Sequence, residues 1–255
     1  MSVTLENVRL ADPAAKGRKL LFDGLSLEVR DQGRVGILGA AKSGMGVVLR
    51  LLCGTTYPDA GRIRRNSRVS WPIPLHSYLV GTNSLARNVR FIARLYGIDD
   101  EDFPRRVVEM VELSDFVNTP LAECPKHCRG RLAFAIGIAL DFDIYLFEGA
   151  FAPVDKPFKE KGAELAAERT EGRGVVVATS LPAEVERNCE SVYVLEGGHA
   201  TYFSQAEEGV QYFKKTVAAE NKKQKADGRT SEEEEEDVGM GDIDILGAAV
   251  ADVVD

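Results

Sequence analysis

The sequence predicts a layered α/β fold: a mixed core sheet with flanking helices, beside an antiparallel β flank. Three observations predict it. Short apolar runs at Asp143 to Phe147 and Gly174 to Thr179 have the near-continuous hydrophobicity of central parallel strands. Another apolar run, Val35 to Leu38, ends in a loop of small residues and leads into a helical pattern over Val47 to Leu52. Near the start, Val3 to Val8 and Leu25 to Val29 alternate apolar and polar residues, as half-buried strands do. Strand, helix and strand then recur along the chain, the pattern of layers packed around one sheet.

At 255 residues the chain can bury a full core, and its 44% apolar and 28% charged residues are ordinary for a soluble globular protein. The formal charge of -8 is unevenly placed, because residues 231 to 255 hold ten acids and no Lys or Arg. The rest carries 32 basic and 30 acidic residues, a net charge of +2. A nearly neutral body has no electrostatic footprint for nucleic acid, and no such partner is expected. Cys53, Cys124, Cys128 and Cys189 are scattered and follow no secretory signal, which points to a reducing, cytoplasmic setting. No run of about 18 apolar residues is present, so no span across a bilayer is expected.

The two alternating runs at the start read as an antiparallel pair joined by the turn-rich DPAAKGRK. Gly61 to Trp71 reads as a second short strand pair turning at Asn66-Ser67, and 72 to 83, with two prolines, as loop. SLARNVRFIARLYG places Leu85, Val89, Ile92 and Leu95 at helical spacing, with Gly97 as the stop. A second helix is expected over Asp99 to Leu113. RGRLAFAIGIAL, apolar around most of its circumference, reads as a buried helix. A polar-faced helix over Phe158 to Glu171 precedes the Gly174 to Thr179 strand, and Glu196-Gly197-Gly198-His199 is a hairpin signal between Glu190 to Leu195 and Ala200 to Phe203. Gln205 to Lys215 reads as the closing helix. From Thr216 to Asp237 charge comes in blocks and no aromatic occurs, the composition of a disordered linker. Two units follow: a folded domain over 1–215, its helical part near 76–137, and an acidic tail over 216–255. The tail regains apolar residues at Ile243, Ile245, Leu246, Val250 and Val253, so it reads either as mobile or as a segment that folds on a partner.

Around RVGILGAAKSGMGVVLRLLCG, strand, small-residue loop and helix have the frame of a phosphate-binding loop, in which backbone N–H groups and a helix N-terminus face an anion. The working pattern is G-x-x-x-x-G-K-[ST], whose Lys neutralises phosphate charge and whose hydroxyl is a Mg²⁺ ligand. Laid ungapped, the sequence gives Gly39, Ala40, Ala41, Lys42, Ser43, Gly44, Met45, Gly46. Both Gly anchors remain, but Met45 holds the Lys position and Gly46 the hydroxyl position. A second register uses Gly36 as first anchor, Ala41 for the second Gly, and Lys42-Ser43 as the Lys-Ser pair. It restores the chemistry and starts the helix three residues early.

Three further groups invite chemical readings. Cys124, His127 and Cys128 form C-x-x-H-C, one ligand short of a structural zinc set, so the alternative is a reshaped helix start containing Pro125. Arg62, Arg64, Arg65 and Arg68 read as a solvated, charge-protected edge or as an anion-binding face. His76 and His199 read as surface or turn residues. The Glu232 to Asp237 run reads as solubilising, or as an internal anion for a basic surface.

The phosphate-loop frame, GRIRRNSRVSWP, NVRFIARLYG and RLAFAIGIALDFDIYL together resemble the ATP-binding subunits of ABC transporters, most closely those that export capsular polysaccharide. The resemblance implies a phosphate-loop NTPase fold of the ABC ATPase type, ATP and Mg²⁺ as cofactors, and membrane permease subunits as partners. It also implies a homodimer or a heterodimer with a second ABC subunit, peripheral on the cytoplasmic face of the inner membrane. It covers roughly 1–215 and leaves out the tail. The family's functional positions are where this sequence departs. The adenine-stacking aromatic falls near Asp12, and the Mg²⁺-sensing Gln at about Val80. The signature Ser-Gly-Gly run reads Pro125, Lys126, His127, Cys128, while its continuation survives as Arg131, Leu132, Ala133, Phe134. Glu148 stands for the metal-linked Asp, Gly149 for the Glu that polarises water, and Thr179 or Ser180 for the switch His. A loop-closing Asp is retained as Asp155.

Phosphoryl transfer gains its rate from positioning and charge stabilisation, and losing one such group typically costs on the order of 10² to 10³ in rate. No residue is therefore expected to be catalytic, and Glu148 alone remains as a metal ligand. The expected role is a degenerate exporter subunit, a pseudo-ATPase with a structural or regulatory part to play. The alternatives are an active transport ATPase using Lys42-Ser43, and an interaction module outside any transporter.

Overall fold

The computed structural model describes residues 1–12, 19–152 and 155–226, with side chains of the last helix as far as residue 217. The acidic run and the apolar end of the tail lie outside the described residues. β1 (Ser2–Ala11) and β2 (Leu20–Arg30) pair antiparallel as expected, and β4 (Ala60–Arg65) joins the other side of β1. A second, six-stranded sheet has the order β5-β6-β7-β3-β8-β9. It comprises β3 (Gly33–Gly39), β5 (Val69–Ile73), β6 (Ile144–Glu148), β7 (Gly174–Thr179), β8 (Ser191–Glu196) and β9 (His199–Phe203). Pairing is parallel from β5 to β8 and antiparallel only at β8–β9. The two-residue turn there, Gly197 at φ 55° and Gly198 at φ 82°, has the left-handed pair that a tight hairpin needs.

Side-chain alternation along the central strands divides the interior. On one face, Tyr145, Phe147, Val175 and Val177 pack under α2 (Leu85–Leu95), α3 (Phe103–Met110), α4 (Lys126–Ala139) and α5 (Lys159–Arg169). On the other, Ile144, Leu146, Val176 and Ala178 meet α1 (Met45–Cys53) and the inner face of the antiparallel sheet. A smaller cluster of Leu38, Val185, Val192, Ala206 and Val210 seats α6 (Pro182–Asn188) and α7 (Ala206–Ala226). The side chains of α4 are buried from Arg131 to Ile138, as its uniform hydrophobicity requires. Its Gly137 lets Ile73 approach: a Cβ there would lie 2.7 Å from that side chain.

Four expectations are corrected. Gly61 to Trp71 is not a strand pair, because β4 and β5 belong to different sheets and the chain crosses between them at 66–68. The loop expected over 72–83 begins two residues late, since Pro72 and Ile73 still pair with β6; a Pro is tolerated because β5 is the sheet's edge. Trp71, packed edge-to-face against Tyr78, Tyr96 and Phe142, lies on this edge strand. The closing helix does not stop at Lys215 but runs to Ala226, because TVAAENKKQKA is rich in strong helix formers whatever its net charge. Helix α3 is also shorter than Asp99 to Leu113: Asp100 accepts from the N–H groups of Asp102 and Phe103 ahead of it, and Glu112 has φ 59° beyond it. The short α6 carried too little periodicity to be read.

The crossing at 66–68 is held by Asp143, with Asp141 also accepting from Arg68 at 3.0 Å and from Arg173 at 2.8 Å. Asp143 accepts from the Arg68 backbone N–H at 2.7 Å and from its guanidinium at 3.2 Å, with Arg173 at 3.5 Å. The Arg68 N–H, the Arg68 side chain and then Arg173 hold its pKa below the ordinary 3.8. A depressed carboxylate pKa gives stability that is present above 3.8 and lost as pH falls through the folded value. Asp143→Asn is therefore expected to lower the urea midpoint at neutral pH and to match the wild type progressively as pH drops below 3.8. Urea titrations across that range check it, and a gap independent of pH would show that the charge is not the source.

Candidate functional site

The loop between β3 and α1 follows from its small residues. Gly39 ends β3 where a Cβ would run into Ser43 Oγ, and Ser43 N–H closes the loop onto the Ala40 carbonyl at 2.9 Å. Gly44 takes φ 89° at the N-cap, and a Cβ there would lie 2.8 Å from the Phe22 ring. Helix α1 then starts at Met45. This helix start agrees with the ungapped alignment. The shifted one places its first anchor, Gly36, inside β3 between Val177 and Val192, and leaves Lys42-Ser43 in a turn before the helix. Lys42 is exposed there, and the Ser43 hydroxyl is turned inward, buried and without a hydrogen-bond partner.

The first turn of α1 presents little of its own to an anion or a metal beyond backbone. Met45 folds against the apolar cluster beneath the antiparallel sheet. The turn has no acidic residue and no side-chain cap. Facing it is Glu148 at the end of β6, whose Oε1 lies 2.5 Å from where a Cβ on Gly46 would be. Arg50, one turn further along α1, is 3.6 Å from that same point. Glu148 is open to solvent on one side, yet desolvation raises its pKa against the opposing pull of Arg50. Gly149 follows at φ 86°, its N–H bonded to the Ala178 carbonyl at 2.8 Å, with open space where a side chain would project.

The remaining positions are built into the scaffold. Pro125 caps α4 without a side-chain bond; Lys126 and His127 are exposed and Cys128 is buried. Arg131, 7% exposed, joins its guanidinium to Asp155, stacks 4.5 Å over the Phe158 ring and donates to the Val111 carbonyl at 3.4 Å. Asp155 thus holds its loop to α4. Thr179 is buried at the end of β7 and its hydroxyl accepts from Leu181 N–H at 3.1 Å, while Ser180 is exposed. Val80 lies in a loop clamped by Asn88, whose side chain accepts from Val80 N–H at 2.8 Å and donates to the carbonyls of Val80, Asn83 and Ser84. Asp12 stands at the end of β1, next to undescribed residues.

Asn88, Arg50 and the pairing of Arg131 with Asp155, though not those two residues themselves, were missed in the sequence. Only Asn88 carried a local signal, a polar residue of poor helix propensity on the apolar face of α2. The C-x-x-H-C group does not assemble: among the described residues no three His, Cys, Asp or Glu side chains converge on a metal position, and burial pushes the Cys128 thiol up to about 11. The basic strand lies on a sheet edge with Arg62, Arg64 and Arg68 exposed, and three of its four arginines have partners within the fold. Arg64 pairs with Glu6, Arg65 donates to the Leu51 and Leu52 carbonyls at the end of α1, and Arg68 serves the Asp143 node. His199 is exposed as expected; His76 is half-buried, its pKa lowered by burial and then by Arg129. Two cavities, of about 570 and 870 Å³, lie beside Cys189 and between the two sheets, and neither is lined by 39–46 or Glu148. Among the described residues no helix is long and apolar enough to cross a membrane.

No family model matches the chain. It is 30% identical over 200 residues to the ATP-binding protein BexA of Haemophilus influenzae, covering 78% of this chain and 92% of that protein. To the capsule polysaccharide export ATP-binding protein CtrD of Neisseria meningitidis serogroup B it is 26% identical over 211 residues, covering 83% and 98%. Its fold matches an ATP-binding cassette solved in a post-hydrolysis state with ADP and Pi, at a TM-score of 0.68 and 18% identity over 78% of this chain and 96% of that one.

Proposed function

Because the chain belongs to the family of ATP-binding subunits of ABC-type capsule-polysaccharide exporters, we propose that it is a non-hydrolysing member that keeps the fold and the docking face and has lost the catalytic site. The observation that carries this reading is the first turn of α1, where Met45 and Gly46 stand in place of a cation and a hydroxyl and the Glu148 carboxylate lies against Gly46. Gly46 offers no hydroxyl to Mg²⁺, and a Ser or Thr there would need the Glu148 carboxylate to swing aside, so the loop as it stands lacks that metal ligand. Gly149 supplies no base, and Thr179 and Ser180 no imidazole. Each such loss costs on the order of 10² or more in rate, and together they leave no route to hydrolysis. The loop frame still offers backbone N–H groups, so weak metal-free contact with a nucleotide is consistent with the role.

Exposed apolar side chains support a partner surface in this reading. Around α2, Val80, Phe91, Leu95 and Tyr96 expose large apolar side chains, Leu95 as much as 66%, beside the exposed Arg87, Arg90 and Arg94. Such a patch on an otherwise well-buried domain marks an interaction site. In this reading it receives a permease subunit, holding the chain peripherally on the cytoplasmic face of the inner membrane with a second ABC subunit beside it.

Phosphate release from Mg-ATP by the purified full chain tests the proposal. The expected rate is that of buffer, with protein retained on membranes that carry its permease and released by Leu95→Asp. Turnover on the order of one per second, ordinary for an enzyme, would sink it.

A further inference from the structure

We infer that the chain covers the exposed face of α2 with its own acidic tail, the segment from Glu232 to Leu246, and that a partner reaches this face only by displacing it. The contact stands on its own; that the displacing partner is a permease subunit rests on the reading above.

Two surfaces of reciprocal chemistry carry the inference. Along α2, at about 100° per residue, Arg87, Arg90 and Arg94 fall within about 60° of one another, and Phe91 and Leu95 continue the same exposed face. Phe91 is 49% and Leu95 66% exposed. Among the described residues none of these three guanidiniums has an ion-pair partner, and the acids that follow the helix are already engaged, Asp102 with Arg105 and Asp100 with Arg106. In the tail, Glu232 to Asp237 is an unbroken acidic run, and Asp242-Ile243-Asp244-Ile245-Leu246 interleaves carboxylates with large apolar side chains. Residues 231 to 255 hold ten acids and no Lys or Arg, so opposite charge must come from elsewhere. Carboxylates for the three arginines, with Ile and Leu for Phe91 and Leu95, match this face in both respects.

The tether makes the tail the favoured occupant. Asp242 stands 16 positions beyond Ala226, the last described residue, a reach of about 50 Å at about 3.3 Å per extended residue. A domain of this size has a radius of gyration of about 17 Å and is about 45 Å across, so the reach suffices. Covalent attachment holds the segment at an effective concentration on the order of 1 mM, which a free partner must overcome. The phosphate loop, the other place for an internal anion, offers Lys42 as its one side-chain cation and no exposed large apolar side chain.

Zero-length carbodiimide coupling of the full chain carrying Arg90→Lys and Arg94→Lys, read by mass spectrometry, tests the contact. These changes keep the charge and supply the amines that the reagent joins to carboxylates. Links from Glu232–Asp237, Asp242 or Asp244 to position 90 or 94, within one chain at every dilution and lost in about 1 M NaCl, support the inference. Links only to Lys42, links only between copies, or none to α2 overturn it.

A second measurement reads the cover directly: calorimetric binding of a synthetic peptide of residues 231–255. It should bind at least about tenfold more tightly to a chain neutralised by Glu232→Gln to Glu236→Gln with Asp242→Asn and Asp244→Asn than to the wild type, whose tethered tail competes. Arg87→Gln with Arg90→Gln and Arg94→Gln should abolish that binding while moving the melting temperature by less than about 2 °C, since these exposed side chains hold nothing in the fold. Equal affinity for wild type and neutralised chain overturns the inference, as does equal binding of phosphatidylglycerol vesicles by the two, which would mean that the arginine face lies open. Retention on permease-bearing membranes should rise with the neutralised tail. A failure there, with the cross-links present, would count against the permease reading and not against the contact.

Discussion

Arg131→Ala is expected to destabilise the chain by about 3 kcal/mol, the cost of breaking a buried ion pair from one side, which for a domain of this size lowers melting by about 6–12 °C. Arg131 is the most heavily engaged charged side chain of α4: it meets Asp155, the face of Phe158 and the Val111 carbonyl, and is 7% exposed. Among the described residues Arg131 is the only cation paired with the Asp155 carboxylate, 20% exposed, so truncation strands that charge. The cost is that of the stranded charge more than of the lost attraction, so the double change Arg131→Met with Asp155→Leu should recover most of it. Calorimetric melting of the three proteins checks this. A fall of less than about 1 kcal/mol for Arg131→Ala would mean that the guanidinium merely covers Phe158. The loop after β6 depends on this pair, so protease sensitivity near Asp155 should rise in Arg131→Ala and return to normal in the double variant.

The strands of the central sheet were legible because each carries its own signal. Val175, Val176 and Val177 are buried whichever neighbours they find, and Gly197-Gly198 makes a turn from two residues. What could not be read is which strand pairs with which. The alternation in Gly61 to Trp71 marks two half-buried strands, but nothing local says that Ile63 faces β1 while Val69 lies beside Ile144. That assignment is made by Arg68 and Asp143, residues 75 positions apart. The end of α7 failed for a different reason: charge blocks suggested disorder, while the same Ala, Glu, Lys and Gln residues favour helix, and helix prevailed as far as Ala226. At the candidate site, Met45 and Gly46 were read against the phosphate-loop pattern, and Glu148 and Gly149 through the resemblance to ABC ATP-binding subunits. Their relation was not. Gly46 and Glu148 look like two independent losses in the sequence, and only the fold shows one filling the space the other left.

That relation decides how the site would have to be repaired. Met45→Lys alone restores the cation of the phosphate loop but leaves the Glu148 carboxylate in the space a metal-binding hydroxyl needs, so Mg-ATP affinity is expected to change by less than about tenfold. The triple variant Met45→Lys, Gly46→Ser, Glu148→Asp supplies cation and hydroxyl together and shortens the acid that blocks them. Its expected gain over the wild type is about 10²-fold in Kd, or roughly 2.7 kcal/mol, measured by calorimetry with and without Mg²⁺. The metal dependence is the discriminating feature, since a hydroxyl at 46 and an Asp at 148 matter only if Mg²⁺ is held between them. Equal binding by Met45→Lys and the triple variant would mean that Glu148 is no obstacle, and no binding by either would mean that the loop backbone itself does not cradle phosphate. Hydrolysis should stay at the wild-type level in the triple variant, because Gly149 still offers no base and Pro125 to Cys128 still replace the signature. Adding Gly149→Glu supplies the base without the signature, so any turnover it produces should appear only when an intact partner subunit contributes its own signature across the dimer.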